Sequence, residues 1–373
     1  MSFYPILLTY LIGITIIFTE VIARKPSKTA NFAFIISFVI TCITRVARAA
    51  EYDDDLYIYI RTFLSRNDMY FETGYIKVLE FIRLINDSNP YFFVGFLSTV
   101  IIVTIYSSFC YLGKRSELQY EDNSFENIDA YKGTALVCFS MYWGYVLCTE
   151  CLRQGLAIAL LYFTFVCWLR KKWVISIGLF VLACMCHTSA MIFAIPMVLL
   201  LFLFKKERMP NKVYLIWLIV LLVADLMIST THLSLSNIIY YVASHFKQLS
   251  RLAIYQDINS SYNVGFLGYL NSQYIFYHLL GLFFALYDID NTIYRRSVFV
   301  YFIGLTIGTV AMSFVASIRF QWICLVFSTF AIMCYTKESW VASYRIRINR
   351  MLIIAGYSLY QLIMAVRMLG IAF

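Results

Sequence analysis

Charge is scarce in this chain: Asp, Glu, Lys and Arg together make up 14% of 373 residues, while 61% are hydrophobic. That ratio excludes an ordinary soluble domain and leaves a polytopic helical membrane protein. Also missing are the short signatures of common chemistries. There is no GlyXXXXGlyLys phosphate loop, no GlyXGlyXXGly turn, no HisGluXXHis helix and no GlyXSerXGly elbow. No basic stretch precedes the first apolar run and no small-residue cleavage pattern follows it, so that run is expected to stay in place as a span. No soluble domain, low-complexity tract or internal repeat stands out, and residues 1–373 read as a single membrane domain. Cysteine is present, ten in all, but Cys42, Cys110, Cys138, Cys167, Cys324 and Cys334 fall inside apolar runs. There they act as small hydrophobes and imply no disulfide framework.

What is abundant is apolar sequence in lengths that fit a bilayer. Runs between polar breaks lie at roughly 3–23, 31–50, 91–112, 132–148, 152–169, 173–186, 189–204, 213–230, 272–287, 297–316, 320–336 and 351–371. An all-α fold of about twelve transmembrane helices follows, at about 20 residues per crossing. The two segments on either side of His187 are short, and read either as full crossings or as one broken helix. Aromatic residues reach 18%, with Tyr91, Trp173 and Tyr335 at run ends, where they anchor spans at the interface.

The net charge of +9 suggests nucleic acid only if its distribution is ignored. With the N-terminus external, the six internal segments hold Arg24, Lys25, Lys28; Lys114, Arg115, Lys132; Arg170, Lys171, Lys172; Lys205, Lys206, Arg208, Lys212; Arg295, Arg296; and Lys337, Arg345, Arg347, Arg350, or 19 of the 30 Lys and Arg residues. Every internal loop is then positive, which supports the span count and this orientation and leaves no call for a nucleic-acid partner. Two external loops are long. Residues 51–90 open with GluTyrAspAspAsp and continue with amphipathic stretches, Leu56 to Leu64 and Tyr75 to Ile85, suited to the membrane surface. Residues 230–271 carry an apolar stripe at Ile238, Ile239, Val242, Phe246, Leu249 and Ala253 that predicts an interfacial helix.

The external charges are the informative ones, because a guanidinium or imidazole at a span end is costly unless paired or at work. Arg45 and Arg48 are three apart at the outer end of the second span. Glu150, Arg153 and Gln154 share one face if their turn is helical, and Arg319 lies between the tenth and eleventh spans. Four such forks converging would bind a phosphate-bearing ligand. The structural alternative is headgroup anchoring or an ion pair with Glu150 or Asp55. His187, in CysHisThrSerAla with Ser189 two residues on, has the chemistry of a general base; the alternative is a hydrogen-bonded His in a helix break. Cys148, Cys151, Cys184 and Cys186 are zinc-type ligands whose spacing is weak evidence, and no metal site or cofactor is expected. Asp53 to Asp55 can hold a divalent ion or pair with arginines, and pairing is preferred.

Taken in order, ArgXXArg (Arg45, Arg48), AspLeuXXTyr (Asp55, Leu56, Tyr59), PheGluXGlyTyr (Phe71, Glu72, Gly74, Tyr75), LeuArgGln with Ala157 (Leu152, Arg153, Gln154), HisXSerAla (His187, Ser189, Ala190) and the late Arg319 resemble the Wzy-type polysaccharide polymerases of the EpsG-like family. The likeness covers about residues 40 to 325. The family's usual Gly before the first Asp is replaced here by acidic and aromatic residues, which leaves open which of Asp53, Asp54 and Asp55 is its counterpart. The resemblance implies a multi-pass protein of a bacterial inner membrane that polymerises undecaprenyl-diphosphate-linked oligosaccharide units at the periplasmic face, without metal. Membrane lipid and a Wzz-like chain-length regulator are the partners it implies. The site it implies draws His187, Arg153 and Asp55 as catalytic residues and Arg45, Arg48, Arg319, Gln154, Glu150, Tyr59, Glu72 and Ser189 as substrate contacts. An O-antigen ligase, a polyprenyl-phosphate-sugar glycosyltransferase and, from another class, a lipid-linked-glycan flippase are the alternatives. A flippase would place charge deep within its spans, whereas here the charge clusters outside.

Overall fold

The computed structural model describes residues 3–49, 55–67, 71–113, 131–203, 210–231, 272–287, 289–310, 317–338 and 342–368, and among these every regular element is helical. The chain divides into two compact units, one of residues 1–191 and 329–373, the other of residues 192–328. Among the described residues six helical stretches are long and apolar enough to cross a membrane: Tyr4–Val21, Lys28–Arg45, Pro90–Leu112, Leu152–Leu169, Asn211–Ile228 and Arg319–Lys337. At 1.5 Å rise per residue, 18 to 23 residues cover roughly 27–35 Å, the thickness of a hydrocarbon core. The acidic residues Asp53 and Asp54 and the apolar stripe from Ile238 to Ala253, where the interfacial helix is predicted, lie outside the described residues.

The first unit begins with α1 (Phe3–Val21) and α2 (Lys28–Arg45), which a 3-10 turn, Val46–Arg48, extends. Two short helices, α3 (Asp55–Ser65) and α4 (Thr73–Ile85), precede α5 (Pro90–Leu112). Next comes one continuous helical run: α6 (Lys132–Phe139), a π turn at Ser140–Gly144 and α7 (Tyr145–Thr149). It leads into α8 (Leu152–Leu169) and α9 (Trp173–Cys186). The π turn widens the helix among Tyr142, Trp143 and Phe38, in the most buried part of the unit. Gly155 lets the α7–α8 hairpin close, because a Cβ there would press into the Leu147 carbonyl.

Chain reversal at the end of α9 is abrupt. His187 is extended (φ −157°, ψ 122°), and a 3-10 turn, Thr188–Phe193, follows before α10 (Ala194–Leu203). With 14 residues α9 reaches only about 21 Å. The segment around His187 is therefore two short helices with a break between them.

The two ends of the first unit differ in chemistry. At one end Arg347 donates to the Ile22 carbonyl (2.8 Å), Arg350 to that of Tyr335 (3.2 Å), and Arg170 to that of Tyr111 while its guanidinium lies 4.5 Å over the Tyr111 ring. Cations satisfying C-terminal carbonyls in this way complement the helix dipoles. Glu20 caps the start of α6 at the same end, accepting from the Gly133 (3.1 Å) and Thr134 (2.7 Å) N–H groups. At the other end arginines meet carboxylates instead, and the candidate site lies there.

In the second unit, α11 (Asn211–Thr231), α12 (Ser272–Leu286) and α13 (Thr292–Val310) pack side by side, with α14 (Ser317–Leu325) against α13. Gly304 allows that last approach, since a Cβ there would sit 3.0 Å from Cys324 Cβ and the Leu325 nitrogen. Trp217 donates to Thr306 (3.0 Å) and Tyr301 to the Tyr277 carbonyl (2.7 Å). After Ser328, α15 (Ser328–Lys337) and α16 (Tyr344–Met368) return to the first unit, where Tyr162 bonds Thr329 at 2.7 Å.

Candidate functional site

Three chain segments far apart in sequence meet at the start of α8. Arg153, in its first turn, donates from Nη1 to Glu72 Oε2 at 2.6 Å and from Nε to the Tyr59 hydroxyl at 3.3 Å. Its guanidinium carbon lies 4.6 Å from the Phe71 ring centre and 5.7 Å from that of Tyr59. Cation–π contact on this scale holds a charge where water is scarce. The other oxygen of Glu72 accepts from the Thr188 N–H (3.3 Å) and faces its hydroxyl (3.5 Å). One carboxylate thus ties α8 to the break after α9.

Local sequence explains how Glu72 gets there. It is the N-cap of α4, extended at φ −70° and ψ 145°, yet its side chain does not cap its own helix and turns outward instead. Gly74, two residues on, lies so close to the end of α9 that a Cβ would be 2.7 Å from the Met185 carbonyl carbon and oxygen. Only glycine permits that approach. Tyr75 and Phe71 then pack on Tyr59, with ring centres 6.1 and 5.6 Å away. Arg83 locks the far end of the hairpin by donating to the Phe63 (3.1 Å) and Thr62 (3.0 Å) carbonyls, and Phe63 stacks on Phe93 of α5 at 4.5 Å. On the outer side Phe81, Leu84 and Ile85 are exposed, as suits a helix lying at a membrane surface.

Electrostatics follow from this packing. Burial pushes the Glu72 carboxyl up, but the Arg153 guanidinium, the neighbouring His187 and the Thr188 N–H outweigh it and hold the group below the usual carboxylate range. Burial also drives the Tyr59 phenol to about 12, against the pull of Arg153. Tyr59 is therefore a neutral acceptor for Arg153.

His187 and Ser189 form the adjoining turn. The Ser189 N–H donates to His187 Nδ1 at 3.2 Å, and Ser189 Oγ lies 2.7 Å from the same nitrogen. A backbone N–H can only donate, so Nδ1 is the acceptor and the neutral ring carries its proton on Nε2.

Glu150 and Arg153 do not share a face. Cys151 between them departs from helical geometry (φ −127°, ψ 51°), which turns the two side chains to different partners. Glu150 accepts from Arg45 Nε (3.3 Å) and Nη2 (3.2 Å), and the Arg45 side chain is only 3% exposed. The ion pair named above for Glu150 is thus made with Arg45, and Arg153 pairs with Glu72, 81 residues earlier. Gln154 is buried beside them. Asp55 opens α3, one turn before Tyr59. Arg48 ends the 3-10 turn after α2, and Arg319 stands in the first turn of α14 in the second unit.

A second polar cluster, not singled out from the sequence, lies within the second unit. Asp225 of α11 accepts from the Tyr274 hydroxyl and faces His278 Nε2 at 3.3 Å, and His278 Nδ1 bonds the Tyr274 carbonyl at 3.0 Å. An Asp within IleValLeuLeuValAlaAspLeuMet is the available signal, because an intramembrane carboxylate needs a named partner. Among the described residues no group of three or more His, Cys, Asp and Glu side chains gathers in a way that could hold a metal ion.

Comparison with known proteins adds one finding. The family model described as EpsG family matches residues 31–372, nearly the whole chain, including every site residue above. No curated protein and no solved structure matches it.

Proposed function

The chain belongs to the EpsG family, and from that membership together with the setting of Arg153 we propose that it is a polysaccharide polymerase whose leaving group, a lipid diphosphate, is received by Arg153. The growing chain on undecaprenyl diphosphate is the donor, and a new lipid-linked repeat unit is the acceptor. A hydroxyl at the acceptor's non-reducing end attacks the donor's anomeric carbon. The bond from that carbon to the diphosphate oxygen breaks, and its electron pair leaves on the diphosphate.

The observation that supports this reading is how Arg153 is held. Of the five N–H donors of a guanidinium, Glu72 and Tyr59 take two, and the side chain is 20% exposed. Among the described residues nothing else takes the other three, which leaves them for an anion on a fork that Phe71 and Tyr59 keep in place. Arginine matches phosphate oxygens in pairs and needs no metal to stabilise charge that develops on them.

The proposal extends to topology and setting. The twelve crossings rest on the apolar runs of the sequence, and a periplasmic N-terminus in a bacterial inner membrane is supported by the arginines at the end of the first unit opposite the site. Arg48 and Arg319 enter from their sequence order as further charges for the leaving group, and Arg45 acts by fixing the Glu150 turn. A chain-length regulator is the expected protein partner.

Arg153→Ala tests the reading in cells. Lipid-linked single units are expected to persist while polymer disappears, with the protein still inserted. Normal-length polysaccharide would end it. Loss of the purified protein's activity on adding EDTA would instead favour a metal-dependent polyprenyl-phosphate-sugar glycosyltransferase.

A further inference from the structure

The Glu72 carboxylate occupies a donor of Arg153 that a phosphate oxygen would also seek. We infer that Glu72 is the base for the attacking sugar hydroxyl, and that the donor's diphosphate arms it by taking up the charge of Arg153. This rests on Arg153 being the diphosphate ligand.

Anion competition is the first step. A diphosphate carries more negative charge than one carboxylate and presents more acceptor oxygens, so once on the remaining donors it draws the guanidinium charge toward itself and weakens the hold on Glu72. The Glu72 side chain is 17% exposed, so it has room to give way. Phe71, 4.6 Å from the guanidinium carbon, supports the cation on its face while hydrogen-bond partners change at its edge.

Which group then takes the proton is decided by hydrogen-bond direction. His187 Nδ1 is committed as the acceptor of the Ser189 N–H. Its Nε2 carries the ring proton, so the neutral imidazole has no lone pair to spare for a substrate proton. His187 can therefore orient a hydroxyl but not deprotonate it. Glu150 is committed to Arg45, which donates to it from both Nε and Nη2. Glu72 lies at the edge of both the Arg153 fork and the His187 turn, and its Oε1 already meets a hydroxyl, that of Thr188, at 3.5 Å.

Binding of the donor changes what Glu72 is able to do. Arg153 of α8, His187 and the Thr188 N–H after α9, the Cys186 thiol at the end of α9, and Tyr59 of α3 across the guanidinium are the titratable and polar groups around it. Arg153 is the chief influence opposing the upward push of burial. Once that charge is shared with a diphosphate, less opposes burial and the carboxylate becomes a stronger base. The hydroxyl proton passes to Glu72 as the oxygen bonds to the anomeric carbon and the diphosphate departs. Without a seated donor, Glu72 stays a weak base, which spares the site from deprotonating hydroxyls to no purpose.

The sign of the pH effect follows. In the free enzyme the Glu72 limb lies below the ordinary carboxylate range, so kcat/KM for the donor holds until strongly acidic pH. In the donor complex the same limb is higher, so kcat falls first as pH drops. The full chain in lipid nanodiscs, with purified lipid-linked units as substrate and undecaprenyl diphosphate as binding probe, reads both quantities. Glu72→Gln is expected to bind the probe at least as tightly as wild type and to lose about 10²- to 10⁴-fold in kcat at saturating substrates. Glu72→Asp keeps the carboxylate and is expected to retain the acid limb at reduced rate. If the probe binds Arg153→Ala as well as wild type, the reading of Arg153 fails. If probe binding depends on Arg153 while Glu72→Gln turns over at the wild-type rate, this inference alone is overturned, and the same loss in Asp55→Asn would then hand the role to Asp55.

Discussion

Replacing Gly74 with Ala adds one methyl group at the point where α4 rests on α9. The new Cβ would lie 2.7 Å from the Met185 carbonyl carbon and oxygen and 2.8 Å from its Cβ, whereas ordinary contact begins near 3.4 Å. The obstacle is backbone, which cannot rotate aside, so the start of α4 must move outward by at least about 0.7 Å. Overpacking of this kind costs roughly 1–3 kcal/mol. Its functional effect is larger, because Glu72 is two residues away and its 2.6 Å bond to Arg153 lengthens to about 3.3 Å with such a shift, the weak end of the bonding range. A misplacement of about 1 Å in a catalytic group costs on the order of 10²-fold. The assay pairs a thermal midpoint in detergent with polymer formation from lipid-linked units. Gly74→Ala is expected to unfold at a somewhat lower temperature and to polymerise about a hundredfold more slowly. Turnover within about threefold of wild type would refute the claim that this contact positions the site.

Three further outcomes are expected. Arg45→Met strands Glu150 in a buried place and should cost about 3–5 kcal/mol, while Arg45→Met with Glu150→Met recovers most of that; equal midpoints for the single and double variants would show that the pair is not coupled. Asp225→Ala removes the shared partner of Tyr274 and His278 and should lower the melting point by the equivalent of about 1–2 kcal/mol, measured in detergent, with no change expected from Asp290→Ala, whose carboxylate is exposed. Arg153→Lys keeps the charge but loses the paired donors and should polymerise at least about tenfold more slowly than wild type, as product ladders on a gel would show.

How much of this is legible in the sequence depends on the range of the interaction. The bounds of α8 and α9, 152–169 and 173–186, follow directly from apolar runs between charged breaks, and α3 and α4 appear where the amphipathic stretches of the first long loop predict them. Ser189 beside His187 is a local contact, and a spacing of two residues is enough to suggest it. The π turn at Ser140–Gly144 leaves no mark in the apolar pattern, because one extra residue per turn does not alter hydrophobicity. Glu150 stands three residues from Arg153 and suggests a pair, but spacing presumes a continuous helix, and Cys151 breaks it. The true partner, Glu72, comes from another loop. No sequence period connects positions 81 residues apart, and only the packing permitted by Gly74 does so. Asp225 is readable in principle, as a lone carboxylate in an apolar helix whose partners lie in another helix.

The most direct test of the central claim is polymerisation of purified lipid-linked repeat units by the full chain in nanodiscs, with wild type beside Arg153→Ala and with released undecaprenyl diphosphate measured. Wild type is expected to release one undecaprenyl diphosphate for each linkage formed, and Arg153→Ala to fall by at least about 10²-fold, the scale of losing one donor to a developing oxyanion. Polymer formed by Arg153→Ala at the wild-type rate would contradict the account.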